Sequence, residues 1–443
     1  MTHKTAIRSI VRWWAVGLLA AAGLLGAVAP ARAELKIDIT KGVTDPIPIA
    51  IVPFARSPAD GGLDVAAVVQ RDLESSGRFK PMERRDMLTT PTRSGEIQTS
   101  DWRAARNDYI VVGRVVSGAN GELVIEFELQ NLLNGQNILN QRVTVTPTAL
   151  RHGAHRAADL VYEKILGTRG AFATRIAYVS VDGKAPNQRY QLLVADADGE
   201  NMRKVMESRM PIMSPAWSPD GQWLAYVSFE NRVSAVYVQR LSNGERRQVS
   251  QRAGVNNAPA WSPDGQKLAL TLSGSSGNLD VYVLTLAGQN LVRLTNDAAI
   301  DTEPHWAPDG KSIYFTSDRA GGPQVYRIGL TPGERPKRLT FGSGYNARPR
   351  VSPDGNQLAM VTQEGSGFHI AVQDLTNNSV RSLSKGALDE SPSFAPNGAV
   401  LIFAGRERGQ GTLATVSIDG LVTQRLKSDQ GEVREPVWGP FVD

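Results

Sequence analysis

The feature that most constrains this chain is an internal repeat of about 44 residues. Ser214-Pro-Ala-Trp-Ser-Pro-Asp-Gly221 recurs as Ala258-Pro-Ala-Trp-Ser-Pro-Asp-Gly265 and as Glu303-Pro-His-Trp-Ala-Pro-Asp-Gly310. Weaker copies run from Arg348 to Gly355 and from Ser391 to Gly398, and a truncated one begins at Glu435-Pro-Val-Trp438. The fourth residue falls at 217, 261, 306, 351, 394 and 438, so the spacing stays between 43 and 45. After each Pro-Asp-Gly comes an apolar run, such as Trp223 to Ser228 or Ile313 to Ser317, then a polar turn and two further short runs. Four short strands per forty-odd residues is the arithmetic of a β-propeller blade. Proline and glycine in the tripeptide suit a tight turn, the one setting φ and the other accepting a positive φ.

Five copies are complete, and the sixth supplies only a first strand, Glu435 to Phe441. The three missing strands are found before the first copy, at Ile176 to Ser180, Tyr190 to Val194 and Met202 to Val205. The expected fold is therefore a six-bladed all-β propeller whose last blade is shared between its two ends. Such closure removes free sheet edges. The tryptophans Trp217, Trp261, Trp306 and Trp438, at fixed intervals on the innermost strands, are expected to pack between blades.

Residues 34–168 carry no copy of the repeat and read as an α/β domain, with the propeller spanning 169–443. Pro48 to Phe54 reads as a buried strand and Gly62 to Ser75 as an amphipathic helix. Asp101 to Arg106 reads as a short helix, and Tyr109 to Val116 and Glu122 to Asn131 as a hairpin about Asn120-Gly121. Gln141 to Thr146 is a third strand, and Thr148 to Leu166 a helix ended by Gly167.

Residues 1–33 have the form of a secretory signal. Lys4, Arg8 and Arg12 precede an apolar run from Trp13 to Ala29, and Pro30-Ala-Arg-Ala33 offers a cleavage site between Ala33 and Glu34. The alternative is an uncleaved anchor, because the seventeen apolar residues approach a membrane span. Four of the net +5 charges (Lys4, Arg8, Arg12 and Arg32) belong to this segment, which leaves the remainder near +1 and gives no argument for nucleic acid. With no cysteine, the exported chain has neither disulfides nor thiolate metal ligands.

Signals for chemistry are weak. No G-x-S-x-G elbow is present, and 34–168 is too short for a hydrolase domain. His152 and His155 stand three apart on the last α/β-domain helix and read as an exposed polar face rather than a zinc pair. His305 and His369 occupy variable repeat positions. Asp196-Ala-Asp-Gly199 resembles the start of a calcium loop without its remaining ligands, and reads as a hairpin turn. Asp220, Asp264, Asp309 and Asp354, one per blade, are expected to cap turns. A binding protein without cofactor or metal is the expectation, with a hydrolase and a carbohydrate- or peptidoglycan-binding module as rival classes.

The order of parts resembles the TolB family, the periplasmic components of Tol-Pal systems. The resemblance rests on Ile49-Ala-Ile-Val-Pro-Phe54, Asp301-Thr-Glu-Pro-His-Trp306, Phe315-Thr-Ser-Asp-Arg-Ala-Gly-Gly-Pro-Gln-Val-Tyr326 and Glu435-Pro-Val-Trp-Gly-Pro440. It implies a monomeric periplasmic protein-interaction scaffold with two protein partners, supporting outer-membrane integrity and constriction at division. One is the peptidoglycan-associated lipoprotein Pal, which would also tie the protein peripherally to the outer membrane. The resemblance puts Pal on one face of the propeller, at the mouth of its channel, and chain direction gathers on one face the segments entering the innermost strands: Val255, Asn256 and Asn257; Ile300, Asp301, Thr302 and Glu303; Tyr345, Asn346, Ala347 and Arg348; Leu388, Asp389 and Glu390. These are expected to be loops. The other partner is the inner-membrane protein TolA, at Glu34, Leu35, Lys36, Ile37, Asp38, Ile39 and Thr40. That segment alternates charged and apolar residues as a strand does, so an edge strand of the α/β domain itself is the competing reading.

Overall fold

A computed structural model describes residues 35–41, 43–274, 277–331, 333–407, 409–428 and 431–442. The expected leader, Ala33 and Glu34 lie outside them.

In the α/β domain five strands align in the order β3-β2-β4-β5-β6, where β2 is Ile47–Ile51, β3 Phe79–Pro81, β4 Tyr109–Ser117, β5 Leu123–Asn131 and β6 Gln136–Val145. Strand β2 is parallel to both β3 and β4, and β4, β5 and β6 form an antiparallel meander. The turn at Asn120-Gly121 has both φ angles positive, as the Asn-Gly pair favours. Helix α1 (Val65–Ser75) starts three residues later than expected, because the Asp64 carboxylate accepts from Ala67 N and caps it. With α3 (Leu150–Leu166), ended by a left-handed Gly167, it covers one face of the sheet over Ile49, Ile51, Val111, Ile125 and Phe127. The short helix α2 (Thr99–Ala104) places Trp102 on the other face with Ile97 and Leu132.

The propeller has six blades. Five are continuous (212–250, 256–293, 301–338, 346–382 and 390–428), and the sixth sheet joins Glu432–Trp438 to Arg175–Asp182, Arg189–Asp196 and Arg203–Ser208. The ring thus closes by the shared blade that the repeat count implies. Each Pro-Asp-Gly turn is held by its aspartate: Asp220, Asp264, Asp309 and Asp354 accept from the backbone N of Gln222, Gln266, Lys311 and Asn356 at 2.9–3.1 Å. The tryptophans bridge blades as expected. Trp217, Trp261 and Trp306 donate Nε1–H to the carbonyls of Val437, Ala216 and Ala260 on the neighbouring innermost strand, at 3.1–3.2 Å. Trp438 instead reaches Thr174 Oγ1 at 2.8 Å, at the start of the propeller.

The N-terminal strand β1 (Leu35–Lys41) does not join the α/β sheet. It pairs antiparallel with Thr423–Ser428, the outermost strand of the fifth blade, with Ile37 opposite Leu426 and Ile39 opposite Gln424. That blade is therefore five-stranded, and the edge-strand reading holds for the propeller rather than for the α/β domain.

Candidate functional site: the propeller mouth and the domain junction

The innermost strands surround a central cavity of about 470 Å³. Every one of them carries a bulge at the same place, where the residue before proline adopts a positive φ of 47–56°: Ser214, Ala258, Glu303, Arg348, Ser391 and Glu435. None is glycine, so the bulge is imposed by the ring and carries strain. These six residues line the cavity.

Their side chains are linked. Arg348 Nε donates to Glu303 Oε1 at 2.9 Å, Thr316 Oγ1 donates to Glu303 Oε2 at 2.9 Å, and Arg348 also reaches Ser391. Glu435 accepts from the backbone N of Ser214 across the blade closure. Burial works against charge on Arg348, but Glu303, Glu390 and Glu435 outweigh it and hold its pKa above the ordinary value. Burial raises Glu435, with Arg348 opposing. Burial also depresses His305, helped by nearby Arg350, to about 3; its Nδ1 accepts from Val351 N at 3.2 Å. It is a neutral strut of the channel wall.

The segments expected to form mouth loops are largely strand beginnings: Asn256–Trp261, Asp301–Trp306, Asn346–Val351 and Glu390–Phe394. Five of the residues named from sequence are buried and serve the scaffold. Asn256 accepts from Ser250 Oγ at 2.7 Å and from Arg252 N at 2.9 Å. Asp301 is fully buried and takes both oxygens' bonds from Arg319 Nη2, at 2.8 and 2.9 Å. Asn346 donates to Gln324 Oε1 at 3.0 Å, Asp389 accepts from Gly386 N at 2.8 Å, and Ala347 is packed away. The physical reason is that a strand entering a crowded axis needs its polar ends tied down. Val255 is exposed, and Asn257, Thr302, Glu303, Arg348 and Glu390 are half-buried. Beside them stand the exposed apolar side chains Ile300 and Leu388, which open two of the same segments.

The α/β domain and the propeller meet at a second polar cluster. Arg78 beside Asp419, Asn397 Nδ2 on Arg169 O at 2.9 Å, and the Arg169 guanidinium 3.9 Å over the Phe441 ring tie α/β domain and linker to the propeller. A cavity of about 320 Å³ lies between them, lined by Tyr162, Phe172, Leu426 and Trp438 among others, with Asp72 and Asp198 on its wall. His152 is exposed as expected, but His155 is not: its side chain is 1% exposed. Its Nδ1 stands 2.7 Å from Asp72 Oδ2 on α1, and its Nε2 faces Asp198 and Asp196 of the propeller at 3.8 and 3.9 Å. Arg151, one turn earlier on α3, pairs with Asp198. Burial disfavours charge on His155, but Asp72 and then Asp198 and Asp196 prevail and raise it to about 9. The Asp196–Gly199 turn is a turn, with Gly199 N on Asp196 O at 2.8 Å, and also the propeller's contribution to this cluster.

Both domains match family models: residues 35–138 the TolB amino-terminal domain and residues 162–442 the TolB β-propeller domain. The chain is 52% identical over 93% of its length to the Tol-Pal system protein TolB of Thioalkalivibrio sulfidiphilus, covering 95% of that protein. It is 52% identical over 98% of its length to that of Methylococcus capsulatus, covering 99% of it. The crystal structure of TolB from Acinetobacter baumannii superposes with a TM-score of 0.85 at 40% identity, covering 92% of this chain and all of that one. The chain therefore belongs to the TolB family and is a component of a Tol-Pal envelope system.

Proposed function

We propose that this protein is a non-enzymatic periplasmic scaffold, exported by a cleaved Sec-type signal, that binds Pal at the propeller mouth and TolA through its N-terminal segment. In that role it supports outer-membrane integrity and constriction at division. The observation that carries the reading is the mouth itself. Exposed Val255, Ile300 and Leu388 surround half-buried Asn257, Thr302, Glu303, Arg348 and Glu390, an apolar and polar mixture suited to a protein interface. The repeated aspartates, the residues most easily taken for catalytic acids, are occupied in turns.

The pairing of β1 with Thr423–Ser428 supports the second half of the reading. A segment that already adds to a sheet edge can add to a partner's edge in the same way. The two states use the same backbone groups, so docking on the fifth blade and capture by TolA exclude one another. Pal occupancy would regulate TolA access if it shifts that balance.

Calorimetry with the soluble domains of Pal and TolA tests both halves. Thr302→Arg and Val255→Glu should each weaken Pal binding at least tenfold with an unchanged melting midpoint; unchanged affinity in both removes the mouth as the Pal site. Deletion of residues 34–40 should abolish TolA binding and leave Pal affinity intact. Full TolA binding by the deletion variant refutes the N-terminal assignment.

A further inference from the structure

Two motifs that are unpersuasive as metal sites in sequence, the His152/His155 pair and the Asp196–Gly199 turn, are brought together by the docking of the domains. His155 Nε2 lies 3.9 Å from Asp196 Oδ2 and 3.8 Å from Asp198 Oδ2. Those distances are too long for hydrogen bonds, which close at about 2.7–3.2 Å. They approach the spacing of roughly 3.4 Å between neighbouring ligands of a tetrahedral ion bound at about 2.0–2.2 Å. A second observation points the same way. Nε2 is buried and has no hydrogen-bond partner among the described residues, although it is aimed at two carboxylates.

The surroundings are those of a supported ligand set. Asp72 Oδ2 engages Nδ1 at 2.7 Å, the carboxylate–histidine arrangement that fixes an imidazole so that Nε2 is presented to an ion. Asn201 Nδ2 donates to Asp196 Oδ2 at 2.7 Å, Glu200 N donates to Asp198 Oδ1 at 3.1 Å, and Arg151 holds Asp198 Oδ2. Arg151 Nε also stands 3.8 Å from Asp196 Oδ2. The ligand atoms of Asp72, His155 and Asp198 all fall within 4.8 Å of one another, and Asp196 Oδ2 joins that group through its 3.9 Å approach to His155 Nε2 alone. With His155 neutral, Asp72, Asp196 and Asp198 carry three negative charges against one positive charge on Arg151, and a divalent ion would balance the remaining two. The interdomain cavity, with Asp198 on its wall, gives a route inward.

We propose that His155, Asp196 and Asp198 bind one divalent transition-metal ion of the zinc class, with Asp72 and Arg151 orienting the ligands. An imidazole with two carboxylates suits zinc rather than calcium or magnesium, which take oxygen ligands. The ion would join α3 of the α/β domain to a propeller turn, displacing a proton from His155 as it binds.

The test is titration of the chelator-treated full chain with Zn²⁺ alone, by calorimetry at pH 7. One ion per chain is expected. His155→Gln and Asp198→Asn should abolish binding, Asp72→Asn should weaken it by about 10–100-fold, and exposed His152→Gln should leave it unchanged. Should the ligand variants fail to fold, Co²⁺ loaded into the unmodified protein still decides: intense visible bands of a tetrahedral site support the proposal, and their absence refutes it. Failure of the unmodified chain to bind Zn²⁺, or equal binding by His155→Gln, overturns the assignment and leaves the cluster as an interdomain ion-pair network. None of these readouts depends on Pal or TolA.

Discussion

Removing residues 435–443 should unfold the propeller, although only nine residues are lost. The truncation takes away the shared blade's pairing of Val437 with Ala177 and of Trp438 with Ile176. Five further hydrogen bonds go with it: Ser214 N to Glu435 Oε2, Gly439 N to Arg175 O, Trp217 Nε1 to Val437 O, Trp438 Nε1 to Thr174 Oγ1 and Trp438 N to Ser393 Oγ. At about 1 kcal/mol each these contribute about 5 kcal/mol, and the buried donors left behind add to the cost. Val437 packs on the cluster around Trp217 and Trp438 on the cluster around Tyr178; both are partly buried, which adds about 1–2 kcal/mol apiece. The sum, about 7–9 kcal/mol, is comparable with the whole stability of a typical domain, about 5–15 kcal/mol. Thermal melting followed by far-UV circular dichroism and by calorimetry should show the β-sheet transition lost or broadened. A truncated chain melting cooperatively within about 2 °C of the full one would refute the claim that this strand closes the ring.

Two further outcomes follow from the channel wall. Trp306→Phe removes a buried inter-blade hydrogen bond and part of an indole, and should cost about 2–3 kcal/mol in urea unfolding, whereas His152→Gln at an exposed position should cost almost nothing. His305 has a folded pKa near 3 against about 6.5 unfolded, so the native state binds fewer protons between those values; the stabilisation it gives is present above pH 6.5 and is lost as pH falls toward 3. Moving from pH 7 to pH 5 should therefore remove up to about 2 kcal/mol through this group, and a pH slope unchanged in His305→Gln would contradict the assignment.

The propeller was legible because each blade repeats the same chemistry, so Trp217, Trp261 and Trp306, and Asp220, Asp264, Asp309 and Asp354, announce their roles by recurrence. The split blade followed from counting strands at the two ends. What recurrence does not carry is pairing between dissimilar parts. Strand β1 alternates charged and apolar residues, which defines a strand but not its neighbour, and the outer edge of the fifth blade became that neighbour. The mouth residues misled in another way: Asn256, Asp301 and Asn346 are polar and precede strands, as loop residues do, yet each sits where an innermost strand must satisfy buried polar groups. The junction cluster left one readable trace. Asp72 falls on the apolar stripe of α1, in step with Val65, Val68 and Val69, and a carboxylate there demands a partner. Nothing in periodicity says that the partner is His155 on another helix.

The six left-handed residues before proline have a consequence for how anything entering the channel must be oriented. The backbone ring is nearly six-fold, but its side chains are not: Ser214, Ala258 and Ser391 are small and neutral, while Glu303, Arg348 and Glu435 carry charge. The bulge fixes where each points, whatever its identity. A segment inserted at the axis therefore meets one anion–cation pair, one carboxylate bonded to the Ser214 backbone and three small neutral groups in a fixed angular sequence. Rotating that segment by one blade would exchange a carboxylate for a methyl or a guanidinium, so six geometrically equivalent seats reduce to a single electrostatic one. Near-symmetry builds the barrel of this lock, and the exceptions to it cut the key.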